Sequence, residues 1–258
     1  THASIVPTKV VRTMGYLQKQ RATVLVFFSY KISCFFQLNL YYTLVTYNNY
    51  CMSFLSNLNW RYATKSFDPS KKVSSEDLSK VLEAIRMTPT SFGLQPYHFY
   101  VVENQDTKDQ IQAAAWGQLQ ISTSSHLIVL CARTDLRANQ EEYFHGMSGG
   151  SSEVRAKLKG FEDMLHGFIH STLENGGALN WASKQTYIAL GFAHAALAEL
   201  EIDSCPMEGF DPSQVSDILS LPAHLTPTLL LPIGYRAEGE IPRQKFRFSQ
   251  DQLFTHIQ

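Results

Sequence analysis

Four short stretches of this chain carry residues whose types and spacing suit the binding of a charged, flat, polar molecule. In "RYATKSFDP", residues 61–69, Arg61 and Lys65 stand four apart, with small Ala63 and the hydroxyl of Thr64 between them. A phosphate is well served by a forked guanidinium, an ammonium and nearby N–H or O–H donors. The same residues would equally make a solvated basic turn. In "IPRQKFRF", residues 241–248, Lys245 and Arg247 alternate with Phe246 and Phe248, so an extended chain puts both cations on one face. That pair would close over the same anion, or form an ordinary charged tail. In "CPMEGF", residues 205–210, a strand ends and the chain turns toward a helix whose N-cap is Asp211. Backbone N–H groups at such a turn are free to donate to a ring nitrogen or carbonyl, and Gly209 permits close approach. A plain strand-to-helix turn is the alternative. In "TPTSFGLQP", residues 88–96, Thr90, Ser91 and Gly93 offer small donors ahead of Pro96, which stiffens the entry to a strand.

Other chemistry is less well supported. Gln118 and Gln120, in "WGQLQIS", add amides of the kind that read pyrimidine-like edges. His166 and His170 are spaced i, i+4 as metal ligands can be, but no glutamate follows the first and no third ligand is evident. No metal is therefore expected. His98, within a strand, reads as a packed histidine rather than a base. No nucleophile elbow, Gly-x-Gly-x-x-Gly turn or Walker loop is present.

The elements that must position these residues follow from periodicity. A short helix is expected over 52–60. Lys71–Arg86 reads as a helix: Ser74 and Asp77 have capping-box spacing, Leu78, Val81, Leu82 and Ile85 repeat at i, i+3, i+4, i+7, and Pro89 stops it. Tyr97–Val102 reads as a strand and 106–116 as a helix. Leu127–Ala132 is a continuous apolar run, the mark of a strand buried on both faces. Residues 135–150 read as irregular and 151–174 as helical. A long helix over 178–200 carries six alanines after Trp181, and small residues let another helix approach closely. A strand over 202–207, a helix over 211–219 and a strand over 228–233 complete the chain before a polar, extended tail. Helices and strands mix without regular βαβ repetition, so 52–258 is expected to be one α+β domain.

Composition bounds the class. The chain has 258 residues and a formal charge of −1, so no overall field recruits nucleic acid or an anionic membrane. The balance is uneven. Residues 1–51 contain Lys9, Arg12, Lys19, Arg21 and Lys31 and no acid, leaving 17 basic against 23 acidic residues in 52–258. Residues 23–47 are apolar enough to suggest a membrane span, but Lys31 and Gln37 interrupt them. Residues 1–51 are read as an extension outside the functional protein, non-native or disordered, on the ground that Met52 opens a stretch of different character. A targeting or anchoring segment is the alternative. Cys34, Cys51, Cys131 and Cys205 show no CxxC or metal spacing, which reads as reduced, cytoplasmic usage.

Taken together, "RYATKSFDPSKK", "TPTSFGLQPYHFYVV", "WGQLQ", "SHLIVLCART", "CPMEGFDP" and "KFRF" occur in the order and spacing of the nitroreductase family. The resemblance covers nearly all of 53–250 and is greatest to the oxygen-insensitive NAD(P)H-dependent branch, which includes dihydropteridine reductase-like enzymes. It implies a mainly antiparallel sheet wrapped by helices, and an intertwined homodimer with FMN at the subunit interface. It implies that Arg61, Tyr62, Ala63, Thr64, Lys65, Lys245 and Arg247 contact phosphate and ribityl chain. Gln118 and Gln120 then reach the isoalloxazine edge, and the Pro206, Met207, Glu208, Gly209 turn meets flavin N5. Thr90, Ser91 and Gly93 belong to a loop donated by the partner subunit. The family often has Ser at the position of Ala63 and Asn at that of Gly117. The implied activity is ping-pong hydride transfer from NADH or NADPH through FMN to nitroaromatics, quinones or similar acceptors. Lys65 is given an electrostatic role toward the reduced ring, and no side chain acts as general acid or base. Dihydropteridine reduction, dehalogenation and a flavin-binding dimer without turnover are the competing readings.

Overall fold

The computed structural model describes residues 54–258. The expectations for residues 1–51, including the apolar run at 23–47, lie outside the described residues, as do Cys34 and Cys51.

Four strands form one antiparallel sheet in the order β1-β2-β4-β3: β1 is Tyr97–Val102, β2 His126–Arg133, β3 Asp203–Ser204 and β4 Leu225–Gly234. β2 pairs with β1 from Tyr97↔Ala132 to Val102↔Leu127, and with β4 from His126↔Ile233 to Arg133↔Leu225, across a bulge at Leu130/Cys131. Its apolar run is continuous because both of its faces are covered. Leu127, Val129 and Cys131 pack with Ile111 and Val215 on one side. Ile128 and Leu130 pack with Val81, Ile85, Ala189 and Ala193 on the other.

The helices supply those layers. They are α1 Phe54–Trp60, α2 Ser75–Arg86, α3 Gln105–Ala114, α4 Leu136–Ser148, α5 Ser152–Lys157, α6 Lys159–Glu174, α7 Ala178–Glu199, α8 Pro212–Ile218 and α9 Gln250–Leu253. α3 and α8 cover one face of the sheet; α2 and α7 cover the other. Leu94, Leu136, Phe144, Leu165 and Ile169 make a separate core beneath α4 and α6. Among the described residues no helix is long and apolar enough to cross a membrane.

Several elements differ from the sequence expectation, among them the helix expected over 151–174, which is two (α5 and α6), and the tail expected to be extended, which ends in α9. α2 begins at Ser75, not Lys71, because the Ser74 hydroxyl accepts from Asp77 N–H at 3.0 Å and fixes the cap. Residues 136–148 are helical rather than irregular. The helix lacks a side-chain N-cap bond and ends at left-handed Gly149, φ 57°, so its start signal is silent. The strand expected over 202–207 forms a ladder only at Asp203–Ser204, since Pro206 has no N–H to continue it. Met207 then rejoins β4 through a bridge to Leu230.

Candidate functional site

Residues 61–67 run from the end of α1 along β3. Ala63 bridges Ser204, and Thr64 N–H donates to Ser204 O at 3.2 Å. The Thr64 hydroxyl donates to Asp203 at 3.2 Å, so it is spent inside the fold. The tail returns to the same place. Lys245 Nζ donates to Leu58 O at 2.9 Å and to Asn59 O, closing the C-terminal end of α1, where a cation is favoured. Arg247 donates to Phe246 O at 2.6 Å. Arg61, Lys245 and Arg247 thus converge from two distant parts of the sequence.

Their electrostatics are those of an unmatched cluster. Burial and then the Arg247 charge lower the Arg61 pKa below its ordinary value. Burial, then Arg61 and Arg247, lower that of Lys245. Among the described residues, Arg61, Lys65, Lys245 and Arg247 have no carboxylate ion-pair partner. Arg61 Nε is buried without a hydrogen-bond acceptor. Gathering unpaired cations costs free energy unless an anion joins them. Behind them lies His194, which shares a hydrogen bond of 3.1 Å with Ser204 through Nδ1 and has a buried, unpartnered Nε2. Burial first, and Arg61 second, push its pKa down to about 4, so it is neutral at pH 7. Nothing in its alanine-rich surroundings in the sequence signals this placement.

The turn after β3 is the second half of the site. Met207 exchanges two backbone hydrogen bonds with Leu230, at 2.9 and 3.0 Å, and Pro206 has no N–H. The N–H groups of Glu208 and Gly209 make no hydrogen bond among the described residues. These two are the donors that the turn can offer a ligand. Lys65 Nζ donates to Cys205 Sγ at 3.3 Å, which links the 61–65 segment to the turn. Burial raises the Cys205 pKa, with Lys65 opposing it. On the far side, Gln118 Nε2 donates to Gly209 O at 2.7 Å and to Ala115 O at 3.1 Å. Gln120 Nε2 donates to Gln118 Oε1 at 3.1 Å. Tyr187 Oη donates to Glu208 Oε1 at 2.6 Å, and its pKa rises to about 12 through burial and then the Glu208 carboxylate.

The structure therefore brings together Arg61, Lys65, Lys245, Arg247, Gln118, Gln120 and the 205–209 turn. It does not bring Thr90, Ser91 and Gly93 to them within one chain. Thr90 Oγ1 accepts from Gln95 N–H at 3.0 Å, and Ser91 N–H donates to Gln185 Oε1 at 2.9 Å. A Cβ on Gly93 would lie 3.0 Å from Tyr143 Oη. That loop sits against α7 and α4, with left-handed φ of 58° at Phe92, 71° at Gly93 and 50° at Gln95. Elsewhere, His98 is exposed and packs edge-on to Tyr100, and His166 and His170 are exposed on α6. Among the described residues no group of three or more His, Cys, Asp and Glu side chains is arranged to hold a metal ion.

Comparison with known proteins bears directly on this arrangement. The family model described as the nitroreductase family matches residues 58–235. A "Putative NAD(P)H nitroreductase" of Staphylococcus haemolyticus is 38% identical over 212 residues, covering 79% of this chain and 96% of that protein. A protein of the same description from Staphylococcus epidermidis is 36% identical over 221 residues, covering 82% of this chain and 100% of the relative. The "putative nitroreductase ydfN" of Bacillus subtilis superposes with a TM-score of 0.69 at 21% identity, over 79% of this chain and 98% of that one. A "putative nitroreductase in complex with FMN" from Exiguobacterium sibiricum gives 0.65 at 19% identity, over 80% and 98%. At such identities these two structures speak for the fold alone. The chain belongs to the nitroreductase family.

Proposed function

We propose that this protein is an FMN-dependent NAD(P)H oxidoreductase that passes a hydride to nitroaromatics, quinones or similar electron-poor acceptors in a ping-pong cycle. The observation that carries the reading is the convergence of Arg61, Lys245 and Arg247 without a carboxylate, beside a turn with two free backbone donors. That donor set fits a flavin mononucleotide: cations for the phosphate, neutral N–H groups for the ring. The relatives named as NAD(P)H nitroreductases support it, and the fold is one that a nitroreductase solved with FMN shares.

FMN supplies the two-electron chemistry; the protein supplies position and charge. Arg61, with Lys245 and Arg247, holds the phosphate. Glu208 and Gly209 N–H orient the ring. Lys65, tethered to Cys205 at the turn, would offer positive charge to the reduced ring, and no side chain needs to move a proton.

The active species is a homodimer. α7 buries one face in the core but exposes the large apolar side chains of Leu179, Tyr187, Ile188 and Phe192, and the tail exposes Phe246, Phe248, Phe254 and Ile257. A second copy would cover these faces and bring its own Thr90, Ser91 and Gly93 to the flavin. Residues 52–258 form the functional domain, and Ser53–Gln258 cluster as one compact unit. The location is cytoplasmic, in keeping with free thiols at Cys131 and Cys205.

The test is spectroscopic. The full chain and residues 52–258 are purified, and their visible spectra recorded before and after NADPH is added without air. Flavin bands that bleach in both support the cofactor, the reductive half-reaction and the domain boundary. Colourless protein that FMN does not reconstitute would sink the reading.

A further inference from the structure

The family resemblance puts Gln118 against the flavin edge, but both of its N–H donors are spent on the backbone. A primary amide has two N–H donors. Gln118 gives both to backbone carbonyls, Gly209 O at 2.7 Å and Ala115 O at 3.1 Å, and its oxygen accepts from Gln120 at 3.1 Å. The geometry that allows this is built by the preceding residues. Trp116 and Gly117 take left-handed φ of 57° and 73°, and Gly117 N–H closes back on Gln112 O at 2.9 Å. A Cβ added to Gly209 would lie 2.8 Å from Trp116 Cζ3 and 3.2 Å from Gln118 Nε2. Gly209 is thus held between an indole ring and an amide. Ala115, the second anchor of Gln118, is fully buried at the end of α3.

We propose that Gln118 is a positioning residue: it fixes the Gly209–Phe210 peptide, whose Phe210 N–H holds Glu208 O at 3.0 Å, and so sets the aim of the Glu208 and Gly209 N–H donors on which hydride arrival at flavin N5 depends. The proposal rests on the FMN reading above. Gln118 has no donor left for the ring; it acts through the turn.

The test is Gln118→Glu in the full chain. The substitution keeps the shape, but a carboxylate cannot donate and turns a negative charge toward the Gly209 carbonyl. Half-buried beside that oxygen, Glu at this position would titrate above the ordinary carboxylate range, and its acid form regains a donor. At pH 8, anaerobic reduction by NADPH should slow at least about tenfold while FMN affinity stays within about threefold. The rate should recover as pH falls toward 5, with no such rise in the unsubstituted protein. In the flavin-free protein, amide exchange of the 205–210 segment should be faster in the variant. Gln118→Met, uncharged and of similar size, should be slow at every pH.

A parallel loss of FMN affinity at each pH would mean that Gln118 reads the flavin directly, overturning the proposal. So would reduction rates in both variants like those of the unsubstituted protein. If Gln118→Glu does not fold, Gln118→Met decides: normal exchange and normal rate overturn the idea. Failure of the unsubstituted chain to take up FMN would count against the functional reading instead.

Discussion

Arg236 grips Asp203 through two guanidinium nitrogens, Nη2 to Oδ1 at 2.6 Å and Nε to Oδ2 at 3.0 Å. Its planar head also lies 4.8 Å from the ring centres of both Trp60 and Tyr62. This arginine is neutralised within the fold by Asp203, which separates it from Arg61, Lys245 and Arg247 nearby in the same region. Asp203 is 4% exposed and also receives Thr64 Oγ1 and Arg236 N–H. Asp203→Asn should therefore leave a half-buried cation without its counterion and cost about 2–4 kcal/mol. Urea unfolding at pH 7 measures it; a loss below about 0.5 kcal/mol would show that the pair is replaceable by solvent.

Arg61 tests the anion site. Arg61→Ala should weaken FMN binding about 10–100-fold, the worth of a charge-assisted hydrogen-bonded contact. Arg61→Lys should restore part of that, since charge survives but the fork does not. Flavin fluorescence titrations at two salt concentrations provide the check, and binding in the unsubstituted protein should itself weaken with salt.

His194 makes stability depend on pH in a set direction. Its folded pKa of about 4 lies below the ordinary histidine value, so the unfolded chain binds the extra proton more readily. Stability is full above about pH 6.5, falls as pH drops, and levels off below about 4, for a total of about 3 kcal/mol. His194→Asn should flatten that slope in chemical denaturation curves measured between pH 4.5 and 7. An unchanged slope would assign the dependence to other groups.

Phe192 and Ile188 test the proposed subunit face. Both are large apolar residues, 41% and 40% exposed on α7. Placing a charge there with Phe192→Glu should shift the protein toward monomer in sedimentation experiments, because burying an unpaired carboxylate costs several kcal/mol. Flavin affinity should fall with it if the loop at Thr90, Ser91 and Gly93 completes the partner's site. A dimer that persists with full affinity would place the interface elsewhere.

The family was legible from residue order because its motifs are local runs. Strand β1 and the core of β2 were legible too, since each announces itself through a few adjacent side chains. The Ser74 cap was equally plain, although the start of its helix was placed four residues early. α4 was not legible: it has no side-chain N-cap bond, and its buried residues include Asn139, Gln140 and Ser148, so polar side chains interrupt the apolar period.

The sequence by itself determined which residues bear charge near the site and where the chain must turn, because both depend on neighbours a few positions away. It could not separate Arg236, neutralised by Asp203, from Arg61, which has no carboxylate beside it; each arginine carries the same charge in the text of the chain. Nor could it show that Gln118 spends both donors on backbone carbonyls, one of them 91 residues away. Ion pairing and hydrogen-bond satisfaction are decided across space, once β3, the tail and the loop after α3 have been packed together, and only the tertiary structure sets which partners meet.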